Sequence, residues 1–150
     1  MGNRIILWII MLGSIVYGVM AVASALAAWR RLPDTLQALE QERSTSAQQQ
    51  AQYLRSVWHR GELALTALAG ALFLTGALGW RARRTWGRMT LFAGAWVALL
   101  QMAWTMIVSL EWFRGTGTGM FYQINVLNVA WVLLLLALMP TERMASAWQE

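Results

Sequence analysis

The sequence predicts an all-α integral membrane protein, a four-helix bundle with a short extramembrane helical hairpin between the first and second membrane helices. Hydrophobic residues make up 58% of the chain and charged residues only 13%, whereas a soluble domain has about 25% charged residues. The mean hydropathy of +0.45 agrees with that deficit. We therefore expect lipid, rather than water, around much of the surface of a single domain that spans residues 1–150.

Four apolar stretches predict the membrane helices. They lie at residues 5–28, 63–80, 89–110 and about 120–139, and the last stretch stops before Pro140. A helix rises about 1.5 Å per residue and the hydrocarbon core is about 30 Å thick, so about 20 apolar residues suffice to cross it. The first stretch is longer than the apolar region of a signal peptide, and we interpret it as a spanning helix.

Residues 32–60 predict the extramembrane hairpin. Asp34 and Ser46 each stand three residues before a glutamine, a spacing that is typical of helix N-termini. We therefore expect two short helices joined by a turn at residues 44–46. The spacing of the apolar side chains predicts that the two arms pack through Leu36, Leu39, Leu54 and Trp58.

The orientation follows from the arginines, which are the chain's cations because it has no lysine. The short loop between the second and third membrane helices carries four of them and no acid: Arg81, Arg83, Arg84 and Arg88. Such a loop is typical of the cytoplasmic side, although the whole-chain arginine count is equal on the two sides. We expect both termini in the cytoplasm, the hairpin in the periplasm of a bacterium, and the loop arginines against anionic lipid headgroups.

The composition excludes several kinds of site. The chain has no cysteine and one histidine, His59, so disulfides, thiolate metal sites and a bis-histidine haem within one chain are ruled out. His59 and Glu62 are three residues apart, and we expect them to form a surface pair, since zinc needs at least three protein ligands. The glycines of residues 115–119 lack the P-loop lysine and predict a flexible reversal. We therefore expect no enzyme activity, no cofactor and no metal.

Polar residues inside the apolar stretches are the main functional candidates. Gln101, Thr105 and Ser109 lie at four-residue spacing in the third stretch, and Asn125 and Asn128 lie on one face of the fourth. The third and fourth stretches are joined by a short loop, so residues about equally far from it should lie at similar depth in the membrane. We therefore expect Asn128 to contact Thr105 or Ser109. We interpret the cluster as interhelical hydrogen bonding. A polar path for ions or a substrate is the alternative.

Small residues at helical spacing predict where helices approach closely. The positions are Gly18, Ala21 and Ala25 in the first stretch, Ala67, Ala71, Thr75 and Gly79 in the second, and Gly94 in the third. A surplus face of this kind would indicate a partner. Trp96 and Trp104 share a predicted helix face, where they either pack against a neighbouring helix or stack on a flat ligand such as a quinone.

The sequence therefore predicts a non-catalytic subunit, an accessory or assembly component of a larger inner-membrane complex. Its partners would be membrane lipids and other membrane subunits or copies of itself, with no nucleic acid. A small homo-oligomeric channel or transporter is the alternative, lined by the polar residues above. A lipid- or quinone-binding membrane protein is the third hypothesis.

Overall fold

Five α-helices make up the fold in a computed structural model that describes residues 2–42, 44–82, 84–112 and 126–140. In chain order the helices are α1 (Gly2–Gln41), α2 (Thr45–Arg55), α3 (Val57–Arg81), α4 (Thr85–Trp112) and α5 (Val126–Leu138). No strand occurs within these ranges. The prediction of an all-helical chain is thus confirmed for the part that the structure describes.

Three helices are long and apolar enough to cross a membrane. The candidate spans are Ile5–Gln41, Val57–Arg81 and Thr85–Val108. The fourth predicted span is represented by α5, an apolar helix of 13 residues, and the first residues of that span lie outside the described part of the chain. The finding supports a membrane protein.

Helix α1 runs for 40 residues and continues through Pro33, which differs from the prediction of a separate helix that begins near Asp34. Proline lacks the N–H that would bond one turn back, so a helix that includes it loses a hydrogen bond. Beside this position, the Thr35 hydroxyl donates to the carbonyl oxygen of Arg31 at 2.9 Å. The first arm of the hairpin is therefore the continuation of the first apolar helix.

The turn of the hairpin precedes α2, close to its predicted place. Ser44 caps α2, since its hydroxyl accepts a hydrogen bond from the Ala47 amide at 3.1 Å. The predicted cap, Ser46, lies inside the first turn of the helix and its hydroxyl is 3.1 Å from that of Ser44. The arms are joined on the outside by an ion pair between Glu40 and Arg55.

A break at Ser56 separates α2 from α3, which the apolar spacing did not predict. Ser56 is extended, with φ −73° and ψ 160°. Its hydroxyl lies 2.6 Å from the carbonyl oxygen of Tyr53 and 3.4 Å from the amide of His59, so one serine closes α2 and opens α3. Leu54 and Trp58 therefore belong to different helices and do not form one continuous face.

Helices α1 and α3 cross where two glycines meet. A methyl group on Gly70 would lie 2.9 Å from the carbonyl oxygen of Gly18 and 3.0 Å from Cβ of Ala21. Gly18 and Ala25 are buried, and Ala21 is half-buried. The three predicted small positions of α1 thus lie on the face that packs against α3.

The predicted small positions of α3 lie mostly outside the core of the chain itself. Gly79 is buried, but Ala67 is only half-buried, and Ala71 and Thr75 are exposed. The buried face of α3 is instead formed by Ala69, Gly70, Phe73, Gly76, Ala77, Gly79 and Trp80. Because α3 contains small residues on two faces, sequence spacing alone does not show which face packs inside.

The α3–α4 corner is compact and hydrogen-bonded. The Arg84 amide donates to the carbonyl oxygen of Gly79 at 2.9 Å, and the Gly87 amide donates to that of Arg84 at 3.0 Å. Beyond the corner, α3 packs along α4, and Gly94 is buried at their contact. The core shared by the helices contains these buried side chains: Ile10 of α1, Phe73 of α3, Leu91 and Ala95 of α4, and Val132 and Leu135 of α5.

Candidate functional site

The most concentrated polar chemistry in the described chain surrounds Glu62, near the start of α3. On α4, the Gln101 amide donates to the Thr105 hydroxyl at 3.1 Å. The Thr105 hydroxyl in turn donates to Oε1 of Glu62 at 2.8 Å. Two of the predicted polar residues therefore meet, and one of them, Thr105, also bonds a carboxylate from the neighbouring helix.

Helix α2 reaches the same carboxylate from a different direction. The Tyr53 hydroxyl donates to Oε2 of Glu62 at 2.5 Å, and Tyr53 itself is only 1% exposed. Each carboxylate oxygen thus accepts one hydroxyl, from α2 on one side and from α4 on the other. Hydrogen bonds to an ionised acceptor are about twice as strong as neutral ones, so Glu62 joins three helices.

His59 lies one turn before Glu62 and completes the cluster. Its ring meets that of Tyr53 edge-on, with centroids 5.4 Å apart. Its Nδ1 is 3.8 Å from Oε2 of Glu62 and has no hydrogen-bond partner. The side chains of His59 and Glu62 are 11% and 16% exposed. The predicted surface pair is therefore a mostly buried pair, because α2 covers this end of α3.

The environment of Tyr53 favours its neutral form. Burial raises the pKa of the Tyr53 hydroxyl well above its usual value, and the hydrogen bond to Glu62 and the negative charge of Glu62 raise it further. Tyr53 therefore remains a hydrogen-bond donor throughout the physiological pH range.

Two tryptophans pack beside the cluster. The rings of Trp58 and Trp104 are 4.9 Å apart, and the Trp104 N–H donates to the carbonyl oxygen of Trp58 at 3.2 Å. A methyl group on Gly61 would lie 3.2 Å from the Trp104 ring. Trp96, by contrast, is 48% exposed and contacts Phe92 edge-on. The structure thus places Trp104 in helix packing and keeps it apart from Trp96.

The other predicted polar residues do not join the cluster within the described chain. Asn128 is exposed, and Thr105 bonds Glu62 of α3. The contact of Asn128 with Thr105 or Ser109 stays a prediction. The side chain of Ser109 and the whole of Asn125 lie outside the described residues.

Depth matching across the other loop would have found the site. The α3–α4 corner is centred near residue 83, so residues about equally far before and after it share a depth in antiparallel helices. Glu62 precedes it by 21 positions and Thr105 follows it by 22. The participation of Tyr53 had no comparable signal, because it depends on the break at Ser56.

The arrangement offers a weak basis for metal chemistry. Among the described residues no group of three or more histidine, cysteine, aspartate or glutamate side chains could hold a metal ion. The Glu62 oxygens are both engaged by hydroxyl donors, so the cluster has the character of a structural junction.

Comparison of the chain with protein-family models, with curated proteins and with solved structures finds no match in any of the three.

Proposed function

We propose that the chain is a non-catalytic integral membrane subunit, an accessory or assembly component of a larger complex in a bacterial inner membrane. The observation that carries the proposal is the engagement of Glu62 by Tyr53 of α2 and Thr105 of α4. A catalytic carboxylate needs access to a substrate, whereas this one holds a short extramembrane helix against two apolar helices. In this proposal the cluster has a structural role and the bound partner supplies the chemistry.

The apolar outer surface supports placement in a membrane as a four-helix bundle. Large hydrophobic side chains along one side of α1 are more than half exposed, including Ile5, Ile9, Leu12, Val16 and Val19. A continuous apolar surface that runs along a helix from Ile5 to Val19 is rare on a soluble monomer. Lipid tails would cover it without cost, since they are as apolar as the side chains.

The arginines of the α3–α4 corner support the proposed orientation. Arg81 and Arg84 are exposed and Arg88 is half-exposed, while Arg83 lies outside the described residues. With this corner in the cytoplasm, Glu62 lies 19 residues away along α3, or about 28 Å, which is close to the thickness of the hydrocarbon core. The cluster and α2 would then lie at the periplasmic surface, and both termini in the cytoplasm.

The outward face of α3 supports a membrane partner. Ala64, Ala71 and Thr75 are exposed along it, and the Thr75 hydroxyl donates to the carbonyl oxygen of Ala71 at 2.8 Å. With that hydroxyl satisfied, the small side chains of Ala71 and Thr75 lie between two exposed leucines, Leu68 and Leu78. Small side chains allow another membrane helix to approach closely, and such packing helps helices associate in lipid.

The test is co-purification of the full chain in a mild detergent, followed by native mass spectrometry. We expect a hetero-complex that is lost in the double variant Ala71→Phe with Thr75→Phe. The matched control is Ala23→Phe, an exposed position on α1, which should leave the complex intact. A homo-oligomer without other subunits would contradict the proposal and favour the channel or transporter hypothesis.

A further inference from the structure

Helix α2 is a separate unit of 11 residues with serine caps at both ends. Ser44 caps its start, and Ser56 closes its end in an extended conformation. Because Ser44 and Ser56 are both extended, α2 is a helix separate from α1 and α3. Its position therefore depends on the contacts that it makes with its neighbours.

Those contacts are few and depend strongly on one residue. The buried side chains of α2 are Ala47, Ala51 and Tyr53, and the two alanines bury little apolar area. The ion pair between Glu40 and Arg55 is more than half exposed on both sides, and exposed pairs contribute little to stability. The bond from Tyr53 to Glu62 thus attaches the one large buried side chain of α2 to α3.

We propose that α2 is a latch, which stays docked while Glu62 is ionised and is released when acid protonates Glu62. An ionised carboxylate only accepts hydrogen bonds, and here it accepts one from Tyr53 and one from Thr105. A protonated carboxyl group carries its own O–H and no charge, so it loses the charge-assisted bond to Tyr53. Release would uncover the buried face of α2 and the Glu62 cluster together.

The groups that face Glu62 set the direction of the effect. Helix α2 contributes Tyr53, which stays neutral. Helix α4 contributes Thr105 and Gln101, which do not titrate. Helix α3 contributes His59, whose Nδ1 lies 3.8 Å from Oε2 of Glu62. A protonated His59 would favour the ionised carboxylate, so His59→Gln should shift release toward neutral pH.

The proposal rests on the proposed function only for the side of the membrane from which the proton comes. With α2 at the periplasmic surface, the latch would respond to acidification outside the cell. The docking itself is a property of the isolated chain, so it is measured without any partner. Failure of the latch would leave the proposed subunit role standing, and loss of the subunit role would leave the latch testable.

The experiment is a distance measurement between spin labels on the full chain in lipid nanodiscs. Since the chain contains no cysteine, Gln50→Cys with Met106→Cys places one label on α2 and one on α4, both at exposed positions. We expect a single distance at about pH 8 that becomes longer and broader toward about pH 2, below the range in which free carboxyl groups titrate.

Two variants and one control make the result decisive. Glu62→Gln mimics the neutral carboxyl group and should give the released distribution at every pH, as should Tyr53→Phe. Glu40→Gln breaks only the exposed ion pair and should behave as the unmodified chain does. A second label pair, Ala71→Cys with Ala93→Cys, reports whether α3 and α4 stay packed. An unchanged α2–α4 distance in acid, or a docked distance in both variants, would overturn the proposal.

Discussion

At the scale of single residues, the main feature is a carboxylate near the end of an apolar helix and the way in which it is stabilised. Glu62 is only 16% exposed, and a charge in that setting needs hydrogen-bond donors or a counter-ion. It receives two hydroxyl donors from other helices. Removing either donor therefore leaves a buried charge with too few hydrogen bonds. Each hydroxyl should for this reason contribute more to stability than an average surface group.

The Tyr53 hydroxyl should contribute about 1.5–3 kcal/mol to stability, the range for a hydrogen bond to a charged group. Tyr53→Phe removes the hydroxyl and keeps the ring, so we expect a loss of stability of that size in detergent unfolding. Tyr17→Phe is the matched control, because the Tyr17 ring packs on Phe73 and is remote from Glu62. Equal stability of the two variants would contradict a role for the Tyr53 bond.

The raised pKa of Tyr53 predicts a loss of stability in alkaline solution. Unfolded tyrosine titrates near pH ~10, so the contribution of Tyr53 is fully present below that pH and declines as the pH rises further. Because the chain has no lysine, its tyrosines are the side chains that titrate in this range. The free energy of unfolding, measured in phosphatidylcholine from about pH 9 to 11.5, should decline less steeply for Tyr53→Phe than for the unmodified chain.

At the scale of helices, the crossing of α1 and α3 depends on Gly70. Gly70→Leu would push a side chain into the Gly18 backbone, and overpacking of this kind costs about 1–3 kcal/mol or more. Ala71→Leu is its neighbour in sequence but points outward, so it should be tolerated. Thermal unfolding of the two variants in the same detergent separates the cases, and equal losses would place the α1–α3 contact elsewhere.

The sequence predicted much of the helical layout. Apolar length alone located the helices that became α1, α3 and α4, and the spacing of serines placed the hairpin turn within two residues. The break at Ser56 depends on local side-chain hydrogen bonds, which periodicity does not report, and the continuation of α1 through Pro33 was not predicted either. The site was found only in part, since Gln101 and Thr105 are visible as polar residues in an apolar run but their partner lies on another helix.

The arginine corner should select anionic lipids. Three arginines there are exposed or half-exposed, Arg81, Arg84 and Arg88, and each basic residue at an anionic membrane surface is worth about 1 kcal/mol. Replacing all three with glutamine should reduce the thermal stabilisation that phosphatidylglycerol gives over phosphatidylcholine. Arg30→Gln with Arg31→Gln, at exposed positions far from the corner, is the control. An unchanged lipid preference in the triple variant would refute the assignment.

At the scale of the whole molecule, the parts support one arrangement. The exterior is apolar, an arginine-rich corner lies at one end, and a carboxylate cluster covered by α2 lies at the other. These features are expected of a membrane protein with one fixed orientation. The orientation decides which side of the membrane the α2 latch faces and which side the arginine corner faces.

Impermeant labelling of single cysteines in intact cells measures this orientation. Ser46 and Thr85 are both exposed and lie at opposite ends of the packed helices, and the chain has no cysteine of its own. We expect Ser46→Cys to be labelled from outside, whereas Thr85→Cys should be labelled only after the membrane is permeabilised. Labelling of position 85 from outside, with position 46 protected, would contradict it.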